Sequence, residues 1–375
     1  MRFETKAVHS GRRVDESTGA VTTPIYLSTT FERAGDGSYP NEFIYGREAN
    51  PNRLALEECL TSLEDGYDCV TFSSGMAAIT SVIEALPTDK ARRIIMPNDM
   101  YFGIRSLLSE TDIGSKLDVV IVDMTDLHEV ENAITSAPTG LVWIETPSNP
   151  LLKVTDIAVI TKLAQAAGAY TAVDNTWATP VLQRPLTQGA DFSIHSVTKY
   201  IGGHSDLMIG AVIARSESPM LTNLRAWQQT KGAVPSPFDC WLALRGVQSL
   251  APRMMVHCSN AEAIAKFLNE HPNVDAVHYP GLSDHPGHSI AARQMSSSGG
   301  MLSFQVKGGE REAMAVAAKL RLFTRATSLG GTHSLIEHRS SVEGNNTMTP
   351  DNLLRVSIGI ENVDDLKEDL SQALK

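Results

Sequence analysis

The sequence contains few cysteines, and their spacing argues against a disulfide scaffold or a thiol-based metal site. The 375 residues include four cysteines, Cys59, Cys69, Cys240 and Cys258, and none of them forms a CxxC pair. Neither a zinc ribbon nor a redox pair is therefore indicated. We expect free thiols in a reducing compartment, and so a cytoplasmic protein.

Long apolar runs and an excess of basic residues are also missing. No run approaches the roughly 20 residues that cross a bilayer, and Met1–Arg13 lacks the apolar segment of a signal peptide. Lys and Arg number 32 against 43 Asp and Glu, a formal net charge of −11. Because nucleic acids and anionic membranes attract basic surfaces, we expect neither as a partner.

Strand-like and helix-like segments alternate between about residues 56 and 215, which predicts an α/β fold. Several strand segments are apolar throughout, as in strands buried on both faces of a mostly parallel sheet. Leu56–Leu63 and Asp156–Ala167 carry their apolar residues on one helical face. The alternation predicts a doubly wound sheet covered by helices on both sides. The predicted strands are Cys69–Phe72, Arg93–Met96, Asp118–Val122, Leu141–Ile144, Tyr170–Asp174, Asp191–Ile194 and Ile209–Ala214.

The two ends of the chain differ from this central region. Within residues 1–55, Thr22–Thr30 and Gly35–Pro40 are rich in Thr, Ser, Gly and Pro without sustained periodicity, which predicts that residues 1–55 form an extended arm that lies on another surface. Residues 56–245 form the predicted large domain, and residues 246–375 a small α+β domain. In the small domain we expect a helix, a loop rich in Pro, Gly and His, and two strand–helix pairs. These are Ala261–Glu270, then Met301–Val306 with Glu310–Leu320, and Leu353–Ile358 with Val363–Leu374.

The segment Ser193–Lys199 is the most informative for chemistry. It follows a predicted strand and places Lys199 shortly after two hydroxyl residues, Ser196 and Thr198. A lysine can form a Schiff base with an aldehyde cofactor when its amine loses its proton, and the hydroxyls can hold a phosphate. An ordinary surface lysine after a Ser/Thr loop is the alternative.

Three further segments carry candidate site residues. Asp174 ends an apolar strand, where a carboxylate either caps a helix or faces a cation in the ligand crevice. Phe72–Ala78 combines a strand, a Ser/Gly turn and a helix start, whose N–H groups favour phosphate. A plain capped helix is the alternative there. Tyr101 either stacks on a ring or belongs to the core.

These segments and their spacing resemble the Cys/Met-metabolism family of pyridoxal-phosphate enzymes. The family comprises cystathionine γ-synthases, cystathionine β- and γ-lyases and methionine γ-lyases, and the resemblance covers nearly the whole chain. It implies the fold-type-I, aspartate-aminotransferase-like architecture of pyridoxal-phosphate enzymes and a homo-oligomer, at least a dimer and by family habit a tetramer. The other segments that carry the resemblance are Tyr45–Arg47 with Asn50–Pro51, Glu145–Pro150, Gly202–Asp206, Ser328–Gly331 and Leu354–Glu361.

The resemblance implies a cofactor, pyridoxal 5'-phosphate, and the residues that hold it. Lys199 forms the Schiff base and shuttles protons, and Asp174 pairs with the pyridine nitrogen. Tyr101 stacks on the ring and can act as an acid towards the leaving group. The phosphate is held by the backbone amides of Gly75 and Met76 and the hydroxyls of Ser196 and Thr198, with Tyr45 and Arg47 reaching the phosphate of a neighbouring subunit.

The resemblance also implies an amino-acid substrate held at one end by Arg355. The guanidinium grips the substrate carboxylate with two N–H groups, a geometry that lysine lacks. Ser328 lies nearby, and Asn149 lies by both the cofactor oxygen and that carboxylate. Metal ligands are not expected, since the HxxH pair His285 and His288 has no nearby Cys or paired carboxylate.

The sequence departs from the family pattern where substrate is chosen. Thr327 stands where γ-synthases and γ-lyases usually carry an acidic residue, His333 where glutamate is common, and Arg339 where proline often sits. Ser340–Gly344 replaces the family's Met-Thr-His segment. We therefore predict carbon–sulfur cleavage, by a cystathionine β-lyase or a broader lyase. Cystathionine γ-synthase and methionine or cystathionine γ-lyase activity are the alternatives.

Two other classes remain open from the sequence. A catalytically silent cofactor-binding scaffold could keep the fold, but it need not keep Lys199, Asp174, Tyr101 and Arg355 together. An aminotransferase or racemase on the same cofactor would give a keto acid without thiol release, or would scramble the stereochemistry at Cα.

Overall fold

A computed structural model describes residues 1–343 and 348–375. Gly344, the last residue of the predicted Ser340–Gly344 segment, lies outside these residues. Within them, the strands are β1 Asp68–Phe72, β2 Arg93–Pro97, β3 Asp118–Val122, β4 Leu141–Glu145, β5 Tyr170–Asp174, β6 Phe192–Ser196, β7 Gly210–Ala214, β8 Val274–His278, β9 Met301–Val306, β10 Thr324–Arg325, β11 Leu335–His338 and β12 Leu353–Ser357.

The helices follow the strands in the alternating order predicted for the central region. In the same residue ranges they are α1 Phe3–His9, α2 Pro51–Glu64, α3 Gly75–Glu84, α4 Phe102–Glu110, α5 Asp112–Ser115, α6 Leu127–Ser136, α7 Ile157–Ala166, α8 Thr179–Leu182, α9 Pro219–Lys231, α10 Pro237–Val247, α11 Leu250–Asn269, α12 His288–Gln294, α13 Glu310–Lys319, α14 Arg339–Glu343 and α15 Val363–Ala373. None of these helices is both long and apolar enough to span a bilayer.

The first sheet has seven strands in the order β1-β7-β6-β5-β4-β2-β3. β7 runs antiparallel to its two neighbours, β1 and β6, and the other pairs of neighbouring strands are parallel, so the sheet is mostly parallel. On β4, Leu141 and Trp143 enter one hydrophobic cluster, whereas Val142 and Ile144 enter another. Because both faces of the strand are buried, Leu141–Ile144 are apolar throughout. The predicted α/β fold with a mostly parallel sheet is confirmed.

The second sheet has five strands in the order β10-β11-β12-β9-β8. The predicted strands β9 and β12 pair directly, but β8, β10 and β11 were not predicted. The predicted Pro, Gly and His loop was wrong in part, because strand β8 and helix α12 form within it. Short strands at a sheet edge, such as Thr324–Arg325, carry too few residues to show a period.

Helix α2 connects the amino-terminal residues to the first sheet. It begins at Pro51, within the range predicted as arm, because Asn50 caps it. The Asn50 side chain accepts from the backbone N–H groups of Asn52 (2.9 Å) and Arg53 (3.4 Å), and proline suits the first helical position. Before this helix, residues 10–50 have no helix or strand among the elements of the chain.

Candidate active site

A cavity of about 350 Å³ lies where the parallel strands of the first sheet end. Glu145, Asp174 and Ser196 end strands β4, β5 and β6 and line this cavity. Ligands of open α/β sheets bind at this edge. The predicted site residues that line the cavity are Gly75, Met76, Tyr101, Asn149, Asp174, Ser196, Thr198, Lys199, Thr327, Ser328 and Arg355.

Lys199 presents its amine to the cavity from the turn after β6. Its Nζ donates to Ser328 Oγ at 2.7 Å. Burial, and then the positive charge of Arg355, lower the pKa of Lys199 to about 8, although Glu337 opposes the shift. An amine with a lowered pKa is more often unprotonated at neutral pH, so it can act as a nucleophile or base.

Two carboxyl groups lie side by side at the ends of neighbouring strands. Glu145 and Asp174 are register partners on β4 and β5. Burial, reinforced by Asp174, raises the pKa of Glu145 well above its usual value, and Glu145 accepts the Tyr101 backbone N–H at 2.8 Å. Burial also raises the pKa of Asp174, against the opposing bonds from Thr176. A cation placed beside Asp174 would favour its ionised form.

The amino end of helix α3 offers unpaired backbone donors to the cavity. The N-cap Ser74 accepts the Ala77 N–H through its hydroxyl at 3.0 Å, and its carbonyl accepts the Ala78 N–H. The first two N–H groups, of Gly75 and Met76, have no intrahelical partner at this position. A Cβ on Gly75 would lie 3.1 Å from Ser196 Oγ, so glycine keeps this corner open.

Ser196 and Thr198 differ in how free their hydroxyls are. The Ser196 backbone N–H donates to Thr176 Oγ1 at 2.9 Å, and the Ser196 hydroxyl lies beside Gly75 at the amino end of helix α3. The Thr198 hydroxyl donates to the Ile209 carbonyl at 3.3 Å and accepts the Ile209 N–H at 3.1 Å. Its proton is therefore used within the protein, so Thr198 can offer a further ligand little more than a lone pair.

Tyr101 precedes helix α4 and its ring lines the cavity. The ring packs edge-on against Phe102, with centroids 5.0 Å apart. A Cβ on Gly103 would lie 2.5 Å from the ring atom Cε1 of Tyr101, so glycine at 103 leaves room for this ring position. Burial raises the pKa of Tyr101, and Arg339 and then Arg355 oppose that rise. The phenol therefore keeps its proton at neutral pH.

Arg355 reaches the cavity from the middle of the second sheet. It is 4% exposed on strand β12. Its Nη1 donates to Asn149 Oδ1 at 3.1 Å, and its Nη2 donates to Glu337 at 2.9 Å and to the Ser328 carbonyl at 3.3 Å. Ser328 holds a left-handed φ of 87°, a conformation that costs energy and often occurs at functional sites.

Comparison with known proteins identifies the family. A sequence model of the Cys/Met metabolism PLP-dependent enzymes matches residues 4–375. The chain belongs to this family. It is 46% identical to cystathionine gamma-synthase of Mycobacterium tuberculosis, over 99% of this chain and 96% of that protein. It is 40% identical to cystathionine beta-lyase of Coxiella burnetii, over 99% of this chain and 97% of that one.

A solved relative agrees with this membership. The cystathionine gamma synthase of Xanthomonas oryzae, crystallised in complex with cystathionine, matches with a TM-score of 0.95 and 42% identity. The match covers 100% of this chain and 98% of that one. The chain is thus a pyridoxal-phosphate enzyme of the cystathionine synthase and lyase group. The predicted fold type, cofactor and enzyme class are confirmed.

The residues of this Cys/Met-metabolism enzyme fit pyridoxal phosphate. An amine of lowered pKa, two unpaired helix N–H groups and a carboxylate at a strand end face one cavity. These are the groups needed for covalent attachment, for phosphate binding and for a protonated ring nitrogen. Within the described residues, no cluster of three or more His, Cys, Asp or Glu could hold a metal ion.

Tyr45 and Arg47 are the predicted site residues that the structure places elsewhere. Neither lines the cavity formed by residues 1–343 and 348–375. Arg47 Nη1 donates to the Gln229 carbonyl at 2.6 Å, and its guanidinium lies 5.6 Å from the centre of the Tyr45 ring. Tyr45 is 43% exposed. Their predicted role in a neighbouring subunit stays a prediction.

Sequence reasoning missed two charged residues of the cavity wall. Glu145 follows the apolar strand residues Leu141–Ile144, and its place at a strand end was the signal that could have identified it. Arg339 was noted as a departure from the family, but no local pattern indicated that it faces Tyr101 and Arg355. Both line the cavity.

Proposed function

We propose that this enzyme removes a sulfur or oxygen leaving group from the β or γ carbon of a cystathionine-like or homoserine-derived amino acid. The observation that supports this best is the single cavity shared by Lys199, Asp174, Tyr101 and Arg355. Pyridoxal phosphate, when bound, supplies the electron sink that stabilises negative charge at Cα. The protein supplies orientation, charge and proton transfer.

Lys199 is the residue that carries the cofactor and moves the Cα proton. Its pKa of about 8 keeps a useful fraction of free amine near neutral pH. Ser328 Oγ, 2.7 Å away, orients that amine. With its amine free, Lys199 would take the proton from Cα of the substrate and return it later. Asp174 would keep the cofactor's ring nitrogen protonated by its negative charge.

The phosphate of the cofactor and the carboxylate of the substrate bind to different groups of residues around Lys199. Gly75 and Met76 offer backbone N–H groups to the phosphate, with Ser196 and Thr198 beside them. The substrate carboxylate accepts two N–H groups of the Arg355 guanidinium. Asn149 orients this guanidinium, because its Oδ1 accepts from Arg355 Nη1 at 3.1 Å. With the carboxylate fixed, the Cα–H bond is held towards Lys199, and such positioning lowers the barrier to proton transfer.

Tyr101 and Thr327 face the leaving group. The phenol of Tyr101 keeps its proton and can give it to a departing sulfur or oxygen. Thr327 offers no negative charge to a second amino group. Because the family's γ-synthases and γ-lyases usually carry an acidic residue at this position and this chain does not, we favour cleavage of cystathionine at Cβ, which consumes water and gives homocysteine, pyruvate and ammonia.

Replacement at Cγ is the second candidate, and it is supported by the 46% identity to a cystathionine gamma-synthase. In that reaction the cysteine sulfur replaces the acyloxy group (succinate or acetate) at Cγ of O-succinyl- or O-acetylhomoserine. The sulfur–carbon bond forms, the carbon–oxygen bond breaks, and the acid leaves with the thiol proton.

Product analysis separates the two reactions. Purified holoenzyme is given cystathionine, then each O-acylhomoserine with cysteine. Homocysteine and pyruvate support the lyase, whereas net formation of cystathionine contradicts it. A keto acid without thiol or acid release would indicate an aminotransferase, and racemised substrate would indicate a racemase. Absence of turnover on all of them would contradict the proposed function and favour a silent scaffold.

A chemical test addresses Lys199 directly. Borohydride reduction of the holoenzyme followed by peptide mapping should place the cofactor mass on Lys199, and Lys199→Ala should lose the yellow absorbance. A yellow Lys199→Ala protein would contradict the assignment. Ser196→Ala keeps Lys199 and provides a control that should stay yellow.

We propose that the enzyme is a homo-oligomer, at least a dimer and by its family a tetramer, in which residues 1–55 reach a neighbouring subunit. Exposed apolar residues of this segment support the proposal, among them Val21 (73%), Leu27 (68%) and Ile44 (44%). Mixing inactive Arg47→Ala and Lys199→Ala chains should restore part of the activity if Arg47 serves the neighbouring phosphate. No recovery in verified mixed oligomers would contradict that role.

The four buried free thiols fit a cytoplasmic location, which cell fractionation would test.

A further inference from the structure

A row of alternating charges borders the cavity on the side of Arg355. Glu337 bridges Arg355 (2.9 Å) and Arg339 (2.6 Å), and Glu343 bridges Arg339 (2.9 Å) and Arg105 (2.6 Å). The Arg339 and Glu343 side chains are 1% and 0% exposed. The row contains three arginines and two glutamates, so its members carry one more positive than negative charge. This positive charge favours the binding of an additional anion, such as a carboxylate of a ligand.

Arg339 lies on the leaving-group side of the cavity. Its guanidinium carbon is 5.4 Å from the centre of the Phe102 ring, and that ring packs against Tyr101. Arg339 also lines the same cavity as Tyr101 and Thr327. Among charged groups it has the largest effect on the pKa of Tyr101, ahead of Arg355. Arg339 is therefore close to the phenol that faces the leaving group.

Arg339 has donor capacity to spare. A guanidinium carries five N–H groups. Nε and one N–H of Nη2 donate to Glu343, and one N–H of Nη1 donates to Glu337. In the described part of the chain, the remaining N–H of Nη1 and of Nη2 has no hydrogen-bond partner. Two N–H groups on neighbouring nitrogens suit the two oxygens of a carboxylate.

We propose that Arg339 binds a second carboxylate, carried by the leaving group of the substrate. The inference rests on the proposed function and narrows its substrate class to amino acids whose β or γ substituent ends in a carboxylate. O-succinylhomoserine and cystathionine have this group, whereas O-acetylhomoserine and methionine lack it. Both candidate reactions use such a substrate, because the homocysteine that leaves cystathionine and the succinate that leaves O-succinylhomoserine each carry a carboxylate.

The structure also indicates why Arg339 can be replaced without leaving a buried charge unpaired. In an Arg339→Gln variant, Glu337 keeps Arg355 and Glu343 keeps Arg105 as partners. Glutamine preserves a hydrogen-bond donor, and Arg339→Lys preserves the charge without the fork. Arg105→Gln is the matched control, because it removes a positive charge from the same row but does not line the cavity.

The test measures kcat/KM for O-succinylhomoserine and for O-acetylhomoserine, each with cysteine. Circular dichroism first verifies that each holoenzyme is folded. Wild type should have the lower KM for the succinyl ester. Arg339→Gln should lower kcat/KM for that ester by roughly 30-fold or more, as for a lost buried charge pair, and for the acetyl ester by a few-fold at most. Arg105→Gln should affect both esters equally, and Arg339→Lys should fall between wild type and Arg339→Gln.

Other results would contradict either the role of Arg339 or the proposed function. Equal losses on both esters in Arg339→Gln, or no loss, would overturn the role of Arg339. If wild type only eliminates at Cβ, the matched pair is S-carboxyethylcysteine and S-propylcysteine, with the same expected difference. If Arg339→Gln does not fold, Arg339→Lys must still show the larger loss on the carboxylate-bearing substrate. Absence of wild-type turnover on every substrate contradicts the proposed function itself, and this inference with it.

Discussion

Replacing Arg355 with methionine should weaken substrate binding while leaving the cofactor in place. The side chain is 4% exposed and its Nη1 and Nη2 are oriented by Asn149 and Glu337. Truncating one member of a buried charge pair costs about 2–5 kcal/mol. Since 1.4 kcal/mol is tenfold, KM should rise roughly 30- to 4,000-fold.

The same variant should change the titration of Lys199. The positive charge of Arg355 lowers the pKa of the Lys199 amine in the cofactor-free protein. Burial is the larger cause of the shift and remains in the variant, so without Arg355 the pKa should rise above about 8 but stay below the 10.5 usual for lysine. The pH at which cofactor attachment becomes fast should rise with it.

Two measurements decide this prediction. Steady-state kinetics give KM, and the growth of the yellow absorbance after adding pyridoxal phosphate to apoprotein, across a pH series, gives the titration of Lys199. Arg311→Met is a suitable control, since that side chain is 92% exposed. An unchanged KM would refute the carboxylate role of Arg355, and an unchanged pH profile would refute its electrostatic effect on Lys199.

The remaining predictions concern the amine and the close packing around it. In wild-type apoprotein, cofactor attachment should accelerate up to pH of about 8 and then level off, because the pKa of Lys199 is lowered to that value; a rise continuing to pH 10 would contradict this. Gly103→Ala should displace the Tyr101 ring, which a Cβ would approach to 2.5 Å, and lower kcat by roughly 10- to 100-fold with the cofactor retained; an unchanged kcat would show that the ring position is not required. Gly330→Ala should reduce the free energy of unfolding by about 1–3 kcal/mol, because φ is +78° and a Cβ would lie 2.5 Å from the backbone nitrogen after Lys199. Gly168→Ala, with φ +71° and open space, is its control, and equal losses in urea unfolding would contradict the steric argument.

The cofactor part of the candidate site was predictable because its residues sit at the ends of recognisable elements. Asp174 ends an apolar strand, Gly75 begins a helix after a Ser/Gly turn, and Lys199 follows a strand by three residues. Each position is defined by local periodicity and by a few neighbours in sequence. The structure places all three in one cavity, as the parallel order of the strands requires.

The substrate side was less predictable because its contacts join distant parts of the chain. Asn149 and Arg355 meet across the two sheets, and Arg105 reaches Glu343 from helix α4. No periodicity relates such residues, and a charged side chain in a short strand or loop normally indicates a solvent-exposed position. Arg339 was therefore visible in the sequence only as an unusual residue.

The sequence alone determined the α/β alternation, the strand ends that carry the cofactor residues and the family to which the chain is similar. It could do so because secondary structure and these motifs depend on residues close together in the chain. Only the tertiary structure decided that the three arginines and two glutamates form one row beside the cavity. Such a row depends on how helix α4, helix α14 and the second sheet pack together, and the pKa of Lys199 depends in turn on the burial and charge that this packing creates.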